Sequence, residues 1–73
     1  MEIEYFCRDL EAMLNRTPGT LRAGMHVLHI AEWDSMQSLT FVMFAQERYK
    51  KNVSAVAVAK AATVDELYRL ISS

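Results

Sequence analysis

The sequence is short of several things, and each shortage removes a class of protein. A single cysteine, Cys7, allows no internal disulfide and suits a reducing compartment. Neither sign of charge dominates: nine acids against eight bases leave a net charge of −1, so no global field draws the chain to nucleic acid or to an anionic membrane. No apolar run approaches the roughly 18–20 residues that cross a bilayer, which argues against membrane insertion. The first residues show neither a basic region nor an apolar core of a signal peptide, and a cytoplasmic location is expected. One proline and two glycines leave little room for linkers, and no repeat or low-complexity segment occurs.

What is present is apolar. The hydrophobic fraction of 52% over 73 residues is enough for one small core, so residues 1–73 are read as a single domain. At this size a core supplies only a few kcal/mol of net stability.

Residues 2–15 place Ile3, Phe6, Cys7, Leu10, Met13 and Leu14 at steps of three and four, with Glu4, Arg8, Asp9 and Glu11 largely on the opposite face. This pattern predicts an amphipathic helix, stopped by Asn15 and Thr17-Pro18-Gly19. Cys7 falls on the apolar stripe and reads as a small buried hydrophobe.

Residues 16–34 have no clean period. Leu21, Met25, Val27, Leu28 and Ile30 give this stretch something to bury, which predicts a packed loop with one short helical turn. His26, His29 and Glu32 recur every three residues, but zinc needs three or four convergent ligands. The expectation is no metal, with the histidines partly exposed in the loop.

The second helix is expected from Ser35 to about residue 51, with Ser35 as its cap or in its first turn and Asn52 in the left-handed exit conformation. It carries more apolar residues than one face can use. Phe41, Val42, Ala45 and Tyr49 form one stripe, Met36, Leu39 and Met43 a second, and Phe44 adds a further position. Either the helix is buried nearly all round, or Met36, Leu39 and Met43 are an exposed docking strip beside Ser35. The cluster Arg48, Lys50 and Lys51 reads as a solvated last turn.

Ser54 can cap a short third helix over the Ala-Val alternation that follows. Thr63-Val64-Asp65-Glu66 is a capping box that starts a last helix, with Val64, Leu67, Leu70 and Ile71 as its buried stripe. The fold class expected is all-α, a small four-helix bundle with a long first loop and a short third helix.

The stretch Trp33-Asp34-Ser35-Met36, followed by the apolar helix, resembles the acyl carrier protein family, whose hallmark is Asp-Ser-Leu at the start of its second helix. Trp33 is similar to the stand-alone members with Trp-Asp-Ser-Leu. The short segment of residues 53–60 and the Ala62-Thr63-Val64 lead into Leu67 and Ile71 follow the family's spacing. The likeness covers the whole chain and is specific from about Ile30 onward.

The resemblance implies 4′-phosphopantetheine, taken from coenzyme A, on Ser35, with Asp34 beside it as the acid a phosphopantetheinyl transferase reads. Met36 stands where the family has leucine, a volume-conserving exchange. Leu39, Met43 and Glu47 match partner-facing positions. The family carries acyl groups as thioesters between acyl-activating, ketosynthase or acyltransferase enzymes of fatty acid, polyketide or related pathways, without a catalytic residue of its own, and a monomer is expected.

The chain departs from the family in charge. Thr40 and Arg48 stand at usually acidic positions, and Ala55, Val56, Ala57 and Ala59 replace most acids of the third helix. A specialised carrier with weak electrostatic steering is therefore expected. Five methionines and several alanines would either admit an acyl chain between helices or simply fill an irregular core. A Ser-His-Asp hydrolase is disfavoured, because Ser35 lacks the Gly-x-Ser-x-Gly elbow. The alternative from another class is an unmodified carrier-like module used only for protein interaction.

Overall fold

A computed structural model describes residues 2–72. Helix α1 spans Ile3–Leu14, α2 Ser35–Tyr49, α3 Ala55–Lys60 and α4 Val64–Ser72, and a single 3-10 turn, Val27–His29, interrupts the long first loop. There is no strand among the described residues, and the architecture is the small all-α bundle expected.

Phe6 is where the bundle closes. Its ring meets Phe41 of α2 edge-on at 6.1 Å, Tyr49 of α2 at 6.1 Å and Tyr68 of α4 at 5.5 Å, so one α1 side chain joins three helices. Leu10, Leu14, Leu21, Val27, Ile30, Val58, Val64, Leu67 and Ile71 complete the buried cluster, with Cys7 and Ala45 filling small gaps. No methionine of the described residues is fully buried: Met13 and Met25 lean on the core, while Met36 and Met43 are exposed. Met1 lies outside the described residues.

Capping follows the sequence closely at α3 and α4. The Ser54 hydroxyl accepts from the N–H of Val56 (3.1 Å) and Ala57 (3.3 Å). At α4 the Thr63 hydroxyl accepts from Glu66 N–H at 3.2 Å, while the Glu66 carboxylate accepts from Thr63 N–H at 2.9 Å and Ala62 N–H at 2.6 Å. Those N–H groups hold the Glu66 carboxyl below the ordinary glutamate range.

Three expectations need correction. Glu11 is not on the solvent face of α1 but is buried, only 1% exposed. The turn after α1 is the reason, since its N–H groups need an acceptor. The Glu11 carboxylate accepts from Gly19 N–H (2.9 Å), Leu21 N–H (2.8 Å) and both Nε and Nη2 of Arg8 (2.7 and 3.0 Å). Burial alone would raise this carboxyl, but the Leu21, Gly19 and Arg8 donors outweigh it and hold it below its ordinary value. Gly19 has φ of +92°, the left-handed region that favours glycine, and so turns its N–H toward the carboxylate without strain.

Leu28 is exposed, not packed in the loop. Residues three apart share a face in a 3-10 turn, so Val27 and Ile30 go inward together and Leu28 faces away. The left-handed exit from α2 is taken by Lys50 (φ 58°) and not Asn52, because Tyr49 ends the helix with its hydroxyl donating to Asp9 of α1 at 2.6 Å. Of the two arrangements open for α2, it takes the one with an exposed strip and is not buried all round. Phe41 and Ala45 are fully buried, but Met36, Leu39 and Met43 are 73%, 60% and 63% exposed.

The long loop is stitched to the start of α4 by backbone bonds: Val27 N–H to Ala62 C=O (2.9 Å), Val64 N–H to Met25 C=O (3.0 Å) and Asp65 N–H to Ala23 C=O (2.8 Å). This pins the loop at Val27, eight residues before Ser35. No helix among the described residues is long and apolar enough to cross a membrane.

Candidate functional site: the first turn of α2

The site is set by the residues that fix the start of α2. Trp33 is half-buried, its ring edge-on to Phe41 at 6.1 Å, and its backbone N–H donates to Ile30 C=O at 3.0 Å. This anchors the chain on the core immediately before the helix. Asp34 then takes extended backbone and caps the helix, its Oδ1 accepting from Gln37 N–H at 2.9 Å. Its carbonyl accepts from Ser38 N–H (3.0 Å) and from the Ser38 hydroxyl (3.3 Å).

With the cap supplied by Asp34, Ser35 is left as the first helical residue. It is exposed, and none of the hydrogen bonds around the cap is made by its hydroxyl. An oxygen at this position stands at the positive end of a helix of 15 residues. An anion attached there would meet a favourable field. Its hydroxyl is therefore open to solvent and takes no part in the cap.

Gln37 completes the turn, and its side-chain Oε1 is buried without a hydrogen-bond partner. Such an acceptor costs about 1–3 kcal/mol when left dry. Nothing in the sequence pattern singled out this group, since glutamine in a helical first turn is ordinary.

Along the same helix, Met36, Leu39 and Met43 project to solvent, with Gln46 and Glu47 exposed one turn further on. Side chains at these spacings share one face, so Ser35 stands at the head of an apolar strip. Thr40, between Leu39 and the core residue Phe41, turns its hydroxyl back to Met36 C=O at 3.1 Å.

Asp9, Arg48 and Tyr49 form a cluster tying α1 to α2 that sequence reading missed. The Asp9 carboxylate accepts from Arg48 at 2.8 Å and from the Tyr49 hydroxyl at 2.6 Å. Burial, reinforced by the adjacent Asp9 carboxylate, raises the Tyr49 hydroxyl well above its ordinary value. These partners lie 39 and 40 residues apart in sequence, beyond any local pattern.

The histidines are otherwise engaged. His26 accepts Leu28 N–H on its Nδ1 at 3.2 Å and lies 5.9 Å from the His29 ring. Glu32 is paired with Arg16 at 2.6 Å, and that hydrogen bond lowers its carboxyl from the ordinary value. Among the described residues no group of three His, Cys, Asp or Glu could hold a metal ion. Cys7 is buried on α1, where desolvation pushes its thiol up. Asp34 serves its own helix, not a histidine, so the parts of a charge-relay triad are not assembled at Ser35.

No protein-family model, curated protein or solved structure matches the chain.

Proposed function

We propose that this protein is an acyl carrier, loaded on Ser35 with 4′-phosphopantetheine and shuttling acyl thioesters between the enzymes of a specialised pathway. The observation that supports this most is the division of labour at the start of α2. Asp34 supplies the cap, and Ser35 is left exposed at the helix's positive end with an apolar strip beside it. A transferase would place coenzyme A so that the Ser35 oxygen attacks the phosphorus next to pantetheine. One phosphorus–oxygen bond forms, the bond to the adenosine bisphosphate breaks and that group leaves, and the serine proton passes to a base of the transferase. The thiol at the far end of the arm then holds the acyl group.

The surroundings favour a dedicated partner set. Thr40 bonds to its own helix, Arg48 is tied to Asp9, and α3 presents alanine and valine where carriers of primary metabolism carry acids. Docking then relies on apolar contact more than on steering by negative charge.

The test is an intact-mass measurement after incubation with coenzyme A and a broad-specificity phosphopantetheinyl transferase. One phosphopantetheine should be gained by the natural chain and none by Ser35→Ala. No gain in either would defeat the carrier reading and favour a module that only binds protein through Met36, Leu39 and Met43. The loaded protein, offered to a housekeeping fatty-acid ketosynthase, should be elongated much more slowly than that enzyme's usual carrier.

A further inference from the structure

Two of the three large side chains in the exposed strip of α2 are methionines. Met36 and Met43 stand in solvent on either side of Leu39, while Met13 and Met25 lean on the core. Cys7 is buried, and desolvation favours its protonated thiol, the form that peroxides attack slowly. Trp33 is half-buried against Phe41. Among the described residues, the sulfur open to solvent is therefore gathered on the face that Ser35 heads.

That placement separates reactivity from stability. The fully buried cluster contains no methionine, so an oxygen added to Met36 or Met43 enters water and not the core. A thioether is apolar and a weak acceptor, whereas a sulfoxide is polar and carries a strong acceptor oxygen.

We infer that Met36 and Met43 are a modification site for hydroperoxides, whose conversion to sulfoxides turns the α2 strip from apolar to polar while the bundle stays folded. The thioether sulfur attacks the hydroxyl oxygen of the hydroperoxide. A sulfur–oxygen bond forms, the oxygen–oxygen bond breaks, and the hydroxyl proton passes to the departing oxygen, which leaves as water or an alcohol. Sulfur loses an electron pair that the peroxide gains. Methionine sulfoxide reductases reverse the change at the expense of a dithiol, which becomes a disulfide as the oxygen leaves in water.

At Met43 the new oxygen enters an open groove of about 330 Å³, lined by Val42, Met43, Gln46, Glu47, Asn52 and Val53, and so removes one of its three apolar members. Met36 follows Ser35 directly, and helical side chains lean toward the N-terminus. Its sulfoxide therefore brings partial negative charge to the end of α2 that favours anions. That this slows the arrival of a phosphate at Ser35 rests on the carrier reading; the change in the strip does not.

The test treats the full, unmodified chain with hydrogen peroxide under native conditions. Peptide mass mapping, circular dichroism in urea and retention on a phenyl hydrophobic-interaction column follow the result. Met36 and Met43 should each gain an oxygen before Met13 or Met25 does, with Cys7 unchanged. The urea midpoint should hold, retention should fall, and reductases for both sulfoxide epimers with dithiothreitol should restore it. Met36→Leu/Met43→Leu should keep its own retention through the same treatment. Once peroxide is removed, coenzyme A and a phosphopantetheinyl transferase should load the oxidised chain severalfold more slowly than the reduced one. The double-leucine variant should be loaded at one rate before and after peroxide. Oxidation of Met13 or Met25 as fast as Met36 and Met43, loss of helical signal in step with oxygen uptake, or unchanged retention of the oxidised chain would overturn the proposal. So would equal loading of the two forms where the reduced form is loaded. A reduced chain that takes no phosphopantetheine defeats the carrier reading alone, because the map and the column do not use Ser35.

Discussion

Helices α2 and α4 hold apolar residues in nearly the same proportion, eight of fifteen in α2 and five of nine in α4, yet they place them differently. In α4, Val64, Leu67 and Ile71 form one buried stripe, with Tyr68 and Leu70 leaning on the same core. In α2 only Phe41 and Ala45 are fully buried, and three large apolar side chains face solvent. Content alone does not separate a folding helix from a presenting one; arrangement does. Exposed to water, Met36, Leu39 and Met43 contribute little to the stability of the fold, unlike the buried stripe of α4.

That contrast can be broken or sharpened by substitution. The largest effect is expected at the side chain both helices share. Phe6→Ala removes the ring on which α2 and α4 converge and should cost about 3–5 kcal/mol, enough to unfold a domain of this size. Loss of the helical circular-dichroism signal at room temperature would show it, and a cooperative transition within about 1 kcal/mol of the natural chain would contradict it.

Glu11→Gln comes next. It weakens the bonds that the carboxylate accepts from Gly19, Leu21 and Arg8, and should cost about 2 kcal/mol at neutral pH by urea denaturation. The sign of its pH dependence is fixed by the direction of the shift. The carboxyl is held below the ordinary value of 4.5, so its contribution is complete above that pH and is lost as pH falls through the lower folded value. The natural chain should therefore lose stability on acidification more steeply than the variant; parallel curves would remove Glu11 from the account.

The smallest effect on folding belongs to the strip itself. Leu39→Ser/Met43→Ser should leave urea midpoints within the roughly 0.5 kcal/mol typical of surface changes. A large loss of stability would mean the strip is part of the core after all.

How much of this was readable in the residues follows the range of the interactions. The Thr63–Glu66 box, the Ser54 cap and the single stripe of α1 are local, and the helices lie where those patterns put them. Asp34-Ser35-Met36 was equally plain, because a helix start is written in three or four consecutive residues. The rest depended on contacts between distant residues. Glu11 is drawn inward by N–H groups 8 and 10 residues away, which no 3.6-residue period encodes. Which stripe of α2 goes inward is settled by Phe6, and where α2 ends by Asp9. Asn52 has the better intrinsic preference for a left-handed turn, but Lys50 is the residue that the Tyr49 anchor leaves at the bend.

The backbone bonds from residues 23, 25 and 27 to residues 62, 64 and 65 impose an order in time. The loop that leads to Ser35 is made before α2 and α3, whereas the segment that clamps it is made only after them. Until the start of α4 has emerged and paired, the turn holding Asp34 and Ser35 lacks its support on that side.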